Sequence, residues 1–558
     1  MNNIQLQLLK NIPWAVFFSF FLVINSTAQV VDGYTDKLSY RNGETVTFYL
    51  NGTAPNGDTL NLLALDGSSA TVLPGFNSMI PQSPTTANPW VDGFGYATTN
   101  KWIVPDGLRS GYFEIPGIFP IPIIIKGDKS ASDIVIVCST NTDEAYCEAG
   151  NKSMYYTIPQ DTTLFWKTPA KVVSFKRPLL LTTKPNYSDS RYMEGFLKWI
   201  YQTEYSVNVI ADKDMDDYSE IENAKLLIVI GHSEYWTRQA RINFDKFIDA
   251  GNDVIMLSGN SMGWQVRYQN DPNNPDNPQM VCYRGTTDPA LYGGSITTDP
   301  DSNLLMKTVH WNEKALNYSV LRSIGVDWPY GGDGTLFYPH LNDYEYRGHK
   351  IILENSPLLN GTNLVKGEVI PFLTGEYDGT LINGFDSHGY PVLDTAGLGF
   401  YKAQLIGYDK AFYNSTDLSH PNYAPLIAFQ KKATSGKVIN VSSNNWCGTD
   451  NFKEGSLVEK VTQNMIDLLL MGSDIFTSVD TKPIVVYPNP NHGYFTLKLA
   501  SEGNKNIIIY DFLGTIVYQI NNTTDQKFIV DISQHHKGLY HAKVIVDNTV
   551  LVVNIVYE

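Results

Sequence analysis

The chain has 558 residues and a formal net charge of −16, from 57 acidic against 41 basic side chains. That length accommodates three or four domains, each with its own core. The acidic balance, with no long basic cluster, excludes a protein that tracks a phosphate backbone, so no nucleic-acid partner is expected. The 34 Tyr, 25 Phe and 10 Trp, beside 43 Gly and 29 Pro, point to many strands and loops.

The first element is a processing signal. Lys10 precedes the apolar run Trp14–Ile24, and the small residues Ser26, Thr27 and Ala28 close it. A basic flank, a short apolar core and small residues predict a signal peptide over residues 1–28, cut after Ala28. The run is shorter than the roughly 20 apolar residues of a membrane span, and no other segment qualifies, so a soluble mature protein is expected.

Residues 29–137 read as a β-sandwich-like domain. The segment 43–50 alternates after an Asn-Gly turn, and the runs 120–126 and 133–138 are later strands. From 138 to 475 strands alternate with amphipathic helices, which implies a central α/β domain with a mostly parallel sheet. Its predicted strands include 178–182, 207–210, 226–230, 253–257 and 436–441. A helix is expected over 237–250, capped by Thr237, with Phe244, Phe247 and Ile248 on its apolar stripe and Gly251 after its end. The Asn/Pro-rich run 271–278 is expected to be a loop. Residues 476–558, short strands punctuated by turns, suit a small β-sandwich.

The most informative stretch is Leu226-Leu-Ile-Val-Ile-Gly-His-Ser-Glu-Tyr-Trp236. Its apolar part is too short for a typical helix and reads as a strand buried on both faces. Ligands of parallel sheets lie just beyond the carboxyl ends of the strands, where His232 and Glu234 fall. If the chain stays extended there, residues two apart point the same way and both can face one cavity. A neutral imidazole, with a free pKa of about 6.5, can take a proton. The carboxylate can hold a hard cation or orient the imidazole. The bland alternative is a pair that supports a loop.

Gly259-Asn-Ser-Met-Gly263 matches the Gly-x-Ser-x-Gly elbow of serine hydrolases, with Ser261 as nucleophile and a histidine among positions 310, 340, 349, 388 and 420. The residues after it alternate like a strand, whereas the elbow needs a helix, so tight turning is the competing explanation. Asp212-Lys-Asp-Met-Asp-Asp217 has alternating carboxylates but lacks the glycine and the closing glutamate of a calcium loop. Cys138, Cys147, Cys282 and Cys447 match no zinc or redox spacing. Export permits a local Cys138–Cys147 bridge; buried thiols are the alternative.

Several motifs together resemble the large (catalytic) subunit of N,N-dimethylformamidase. They are Ser174-Phe-Lys-Arg-Pro178, Arg191-Tyr192, Gly231–Trp236, Leu257–Ser261 with Trp264–Arg267, Gly375–Asp378, and the block from Gly436 to Trp446. The segment Tyr146–Tyr155 resembles the family's tyrosine-bearing stretch, and Gly33-Tyr34 and Gly43–Phe48 its leading β-domain. The resemblance implies a glutamine-amidotransferase-like central domain and amide hydrolysis at a mononuclear iron. It further implies Glu234 as a metal ligand, Tyr146 or Tyr155 as a phenolate ligand, His232 as the base or water-orienting group, and Glu376 as a second carboxylate. Relatives typically follow the Arg-Pro element with a tyrosine; this chain has Leu179, for which Tyr187 or Tyr192 are the stand-ins. Asp143-Glu144 and Cys147 also change the setting of Tyr146. The tail resembles the sorting domain that directs Bacteroidota proteins to type IX secretion, which implies an address and the secretion machinery as partner.

Three functions are consistent with these residues. One is an exported metal-dependent hydrolase of a C–N bond, acting on a small molecule or a surface polymer. Another is a non-catalytic surface protein that binds a glycan or peptide, and the third is a serine hydrolase using Ser261. An oligomer remains open in all of them.

Overall fold

In a computed structural model, strands make up 41% of the described residues and helices 16%, the strands arranged in several sheets. The structure describes residues 30–130, 132–155, 157, 169–181, 189–284, 299–336, 347–412, 421–476, 484–499, 503–546 and 549–558. The expected signal peptide, Tyr187, His340 and His420 lie outside them. The chain divides into two units, one of residues 1–127, 144–185 and 268–280, the other of residues 128–143, 186–267 and 281–558.

The first unit is built on two sheets. One orders Val30–Thr35, Thr45–Gly52 and Asn100–Ile103; the other orders Ser39–Arg41, Ile121–Lys126, Gly111–Ile115, Thr59–Ala64 and Ser69–Pro74. Thr45–Gly52 alternates as read, burying Val46, Phe48 and Leu50 while Thr47, Tyr49 and Asn51 between them are half-buried. The Asn/Pro-rich run corrects the sequence reading: Asn274–Val281 is a strand, not a loop. Its Asn277 and Gln279 amides are buried and both donate to Val91 O, at 2.8 and 2.9 Å. These side-chain bonds anchor a segment whose prolines cannot donate.

In the second unit a nine-stranded sheet runs in the spatial order Val207–Ala211, Ile134–Cys138, Leu226–Gly231, Asp253–Ser258, Lys437–Asn440, Asn422–Gln430, Lys402–Ala411, Gly348–Ile351, Val369–Pro371. The first five strands are parallel and the last four antiparallel, so the sheet is mixed where a mostly parallel one was expected. Ile134–Cys138, read as a late strand of the N-terminal β region, lies inside this sheet between two parallel neighbours. All five of its residues are buried, the pattern of a strand covered on both faces. The helix Arg238–Asp249 forms as expected. Thr237 caps it by accepting from Ala240 N at 3.0 Å, and Phe244, Phe247 and Ile248 join Leu227, Val229, Val254 and Met256 in one core cluster.

The C-terminal strands form the expected small sandwich. A three-stranded sheet (Val485–Tyr487, Tyr494–Lys498, Lys527–Asp531) and a four-stranded sheet (Ile516–Thr523, Lys505–Asp511, Gly538–Val546, Thr549–Tyr557) share a core that includes Phe495, Leu497, Ile507, Ile509, Phe528 and Val544.

All four cysteines are free and buried, so the local Cys138–Cys147 bridge is not formed. Burial pushes the Cys138, Cys147 and Cys447 thiols up, away from the reactive thiolate. Ellman's reagent is therefore expected to find no reactive thiol in the native protein and four after unfolding. A rapidly reacting native thiol would contradict this burial.

Candidate active site

The carboxyl ends of three adjacent parallel strands, Leu226–Gly231, Asp253–Ser258 and Lys437–Asn440, feed the segments that carry the site. After the first strand the chain turns rather than staying extended. Gly231 has φ +82°, and a Cβ there would lie 2.6 Å from Met193 Cγ and 2.9 Å from Ser139 Oγ. Only glycine fits both the dihedral and the space. Glu234 N then donates back to His232 O at 3.0 Å and to Thr142 Oγ1 at 3.1 Å. Met262 N donates to Ser233 O (2.8 Å) and Trp264 N to Glu234 O (3.0 Å), which fixes this turn against the neighbouring chain.

This turn brings His232 and Glu234 together by a route other than strand alternation. Glu234 Oε2 lies 3.5 Å from His232 Nε2, and both side chains are buried. Glu376 joins them from the strand Glu376–Gly379, its Oε2 at 2.8 Å from the same Nε2. Asn260 Nδ2 donates to that oxygen at 3.2 Å. The Tyr192 ring stands edge-on to the His232 ring, with centroids 6.1 Å apart, so this candidate stand-in is a neighbour of the imidazole. An imidazole touching two carboxylates in a buried setting can hold and move a proton.

Sequence reasoning missed two of these contributors. Asn260 lay within the Gly259–Gly263 motif but was overlooked beside Ser261. Asn444 is fully buried, and its Oδ1 accepts from Gly375 N (3.2 Å) and Glu376 N (3.1 Å). It lies in the Gly436–Trp446 block that carries the resemblance, where no role was assigned to it. Asp378, on the strand of Glu376, accepts from Ser261 N at 3.0 Å, and burial pushes its carboxyl well above the carboxylate range. Burial likewise raises Asp327 to about 7.

Ser261 is fully buried, and its Oγ donates to Ser258 Oγ at 3.0 Å. The chain after it enters the strand Trp264–Asp271, not the helix an elbow requires. Burial lowers His310 and His349 to about 4, and His349 Nε2 is bonded to Val441 O at 2.9 Å. His388 is exposed. In the acidic run 212–217, Asp214 takes Ala211 N and Asp217 takes Ser219 N as local caps, while Asp212 accepts from Asn141 N and Asp216 from Thr237 Oγ1.

In the first unit, the Tyr146 and Tyr155 rings stack with centroids 4.0 Å apart, joined by Met154 N donating to Ala145 O at 2.9 Å. Arg177, fully buried, bonds Cys147 O (3.1 Å) and Lys152 O (3.3 Å) and pairs with Glu144 at 3.4 Å. Burial raises Glu144 to about 7 against the opposing pull of Arg177. Leu179 packs on the apolar cluster of Tyr34, Phe94, Tyr96, Cys147 and Ala149. Among the described residues no three His, Cys, Asp or Glu side chains group as metal ligands. The set implied by the resemblance has one carboxylate and two phenols, a different donor chemistry.

Similar solved structures include the mmIFT52 N-terminal domain, at 12% identity and TM-score 0.26 over 50% of this chain and 91% of that one. Others are a β-galactosidase from Bacillus circulans sp. alkalophilus (10%, 0.27, 76% and 42%) and a putative ThuA-like protein from Bacteroides uniformis (10%, 0.25, 51% and 88%). At such scores these likenesses bear on nothing that follows. No curated protein matches the chain. Residues 485–558 match the secretion system C-terminal sorting domain, so the protein is exported by type IX secretion, to the cell surface or the medium. Residues 69–451, which contain His232, Glu234, Glu376 and both stacked tyrosines, match the family described as N,N-dimethylformamidase beta subunit-like, C-terminal, and the chain belongs to that family.

Proposed function

We propose that this protein is an exported hydrolase of a C–N bond other than a peptide bond, with His232 and Glu376 as its proton-handling pair. The observation that carries the proposal is the 2.8 Å contact between His232 Nε2 and Glu376 Oε2, with Glu234 Oε2 at 3.5 Å from the same nitrogen. The two atoms lie within ion-pair reach, so a proton can pass between imidazole and carboxylate once ring and carboxylate align. In the reaction the pair takes a proton from the attacking water and returns it to the departing amine. Asn260 holds Glu376 in place for this transfer, with His232 and Glu234 buried and Glu376 partly open to solvent. Family membership and the parallel half of the large sheet also support a glutamine-amidotransferase-like central domain.

The donor chemistry fits iron. Glu234 is a buried carboxylate and Tyr146 and Tyr155 are paired phenols, all oxygen donors that suit a hard cation. Carried over from the family resemblance alone, Glu234 is the proposed carboxylate ligand and Tyr146 or Tyr155 the proposed phenolate, whereas Leu179 offers no donor. When bound, iron would lower the pKa of a coordinated water and polarise the amide carbonyl. Purified protein is expected to carry a stoichiometric transition metal and to hydrolyse members of a small-amide panel, and Glu234→Ala to lose the metal while staying folded. Metal-free protein that turns over no amide after iron loading would sink the proposal.

Leu179 also favours a second reading, a non-catalytic surface protein that binds a glycan or peptide. Ligand capture that survives both chelation and His232→Ala would support it.

A further inference from the structure

We propose that Asn444 is the positioning residue for Glu376, the part that makes its carboxylate meet His232. This deepens the proposed function and rests on the His232–Glu376 pair described above.

Glu376 begins a short strand that is pinned by the buried Tyr377 and paired antiparallel with Asp327–Asp333, Glu376 lying opposite Asp333. On its other edge it is held by the segment that follows the strand Lys437–Asn440. There Ser442 adopts φ +59° and the chain runs beside residues 374–378: Asp378 N donates to Ser442 O at 3.0 Å, and Tyr377 bridges Ser443. Asn444 grips both sides of Glu376. Its Oδ1 accepts the N–H groups of Gly375 and Glu376, and its own N–H donates to Glu376 O at 3.2 Å. Thr374 Oγ1 lies 3.0 Å from Glu376 O and 3.1 Å from Asn444 Oδ1, and accepts from Ser443 Oγ at 2.8 Å. One hydroxyl proton serves only one of its two acceptors at a time, so Asn444 is the partner that holds both the N–H and the carbonyl of the Glu376 backbone.

The choice of asparagine follows from charge. A carboxylate would accept the same two N–H groups but would add a buried negative charge beside Glu376. Alanine would orphan both donors, and a displacement of about 1 Å is enough to disrupt a contact such as the 2.8 Å approach to His232. Asn444 touches no reacting atom in this scheme; it acts through the backbone of Glu376.

The test is ring-nitrogen NMR of ¹⁵N-histidine-labelled full-length protein at one pH, with Glu376→Gln as the reference for a lost contact. Asn444→Ala is expected to move the His232 ring signals towards their positions in Glu376→Gln, at an unfolding temperature that shows a folded protein. Thr374→Val should move them part of the way in the same direction, and it carries the test if Asn444→Ala does not fold. On an amide substrate, Asn444→Ala should lower kcat at least tenfold and leave KM within about threefold, as expected where an interaction matters in the transition state. Asn444→Asp, which restores the acceptor, should recover part of that kcat with an altered pH profile. Wild-type His232 signals in both Asn444→Ala and Thr374→Val would overturn the assignment. If the wild-type protein hydrolyses no amide, the proposed function fails while the NMR arm still decides the role of Asn444.

Discussion

Replacing His232 with alanine is expected to lower kcat/KM on an amide substrate by about 10²–10⁴-fold, the range that positioned proton transfer supplies. Glu376→Gln should cost nearly as much, because its Oε2 is the nearer of the two carboxylate contacts to Nε2. The double variant should be little worse than either single one, since two groups that share one proton act as a unit and their losses do not add. Glu376 retains Asn260 as a hydrogen-bond partner when the imidazole is gone, so His232→Ala is expected to stay folded. Initial-rate measurements on the four proteins check this. Additive losses across the cycle would mean that the two side chains do separate jobs, and full activity in His232→Ala would remove the imidazole from the chemistry.

The part of this site that the sequence displays is the part built on a continuous apolar run. Leu226–Gly231 is buried along its whole length, and a run of that kind has few alternatives to a covered parallel strand. His232 and Glu234 follow it directly, so their place at the sheet's lip was readable. How they converge was not. Extended alternation would have brought them together, but the actual device is a turn forced by Gly231 at φ +82°, a dihedral that a periodicity argument does not contain. Glu376 was found only through family resemblance, because its strand is short and polar.

Asn260 and Asn444 fell inside quoted motifs but received no role for another reason: each acts through a partner more than 60 residues away, and a lone asparagine carries no spacing signal. The two fold-level corrections share a cause as well. Ile134–Cys138 and Asn274–Val281 were assigned by the company they keep along the chain. Burial on both faces sets the place of the first, and anchoring by Asn277 and Gln279 that of the second. Cysteine count offered a bridge in an exported chain, yet all four thiols are buried and free.

Gly259→Ala is expected to damage the stability of the protein and the site together. An added Cβ there would lie 2.4 Å from Asn444 N, 2.7 Å from the Ser443 carbonyl carbon and 2.8 Å from Glu376 O. All three are backbone atoms, and two of them are the partners of the hydrogen bond that ties Asn444 to Glu376. No flexible side chain can move aside, so relief requires the two segments to part. Overpacking of this kind costs about 3 kcal/mol at the upper end of its usual range. In a domain of this size that corresponds to a fall in unfolding temperature on the order of 5–10 °C. Gly455→Ala is the control: its φ of +74° is strained for alanine, but nothing lies within 4 Å of the added carbon. That variant should lose only about 1 kcal/mol, the left-handed penalty alone. Calorimetry of both variants separates contact from conformation. Parting the segments also draws Glu376 from His232, so Gly259→Ala should lose amide turnover even at temperatures where it remains folded, while Gly455→Ala keeps it. Equal stability losses in the two variants would show that the approach of these three chains is looser than 2.4 Å implies.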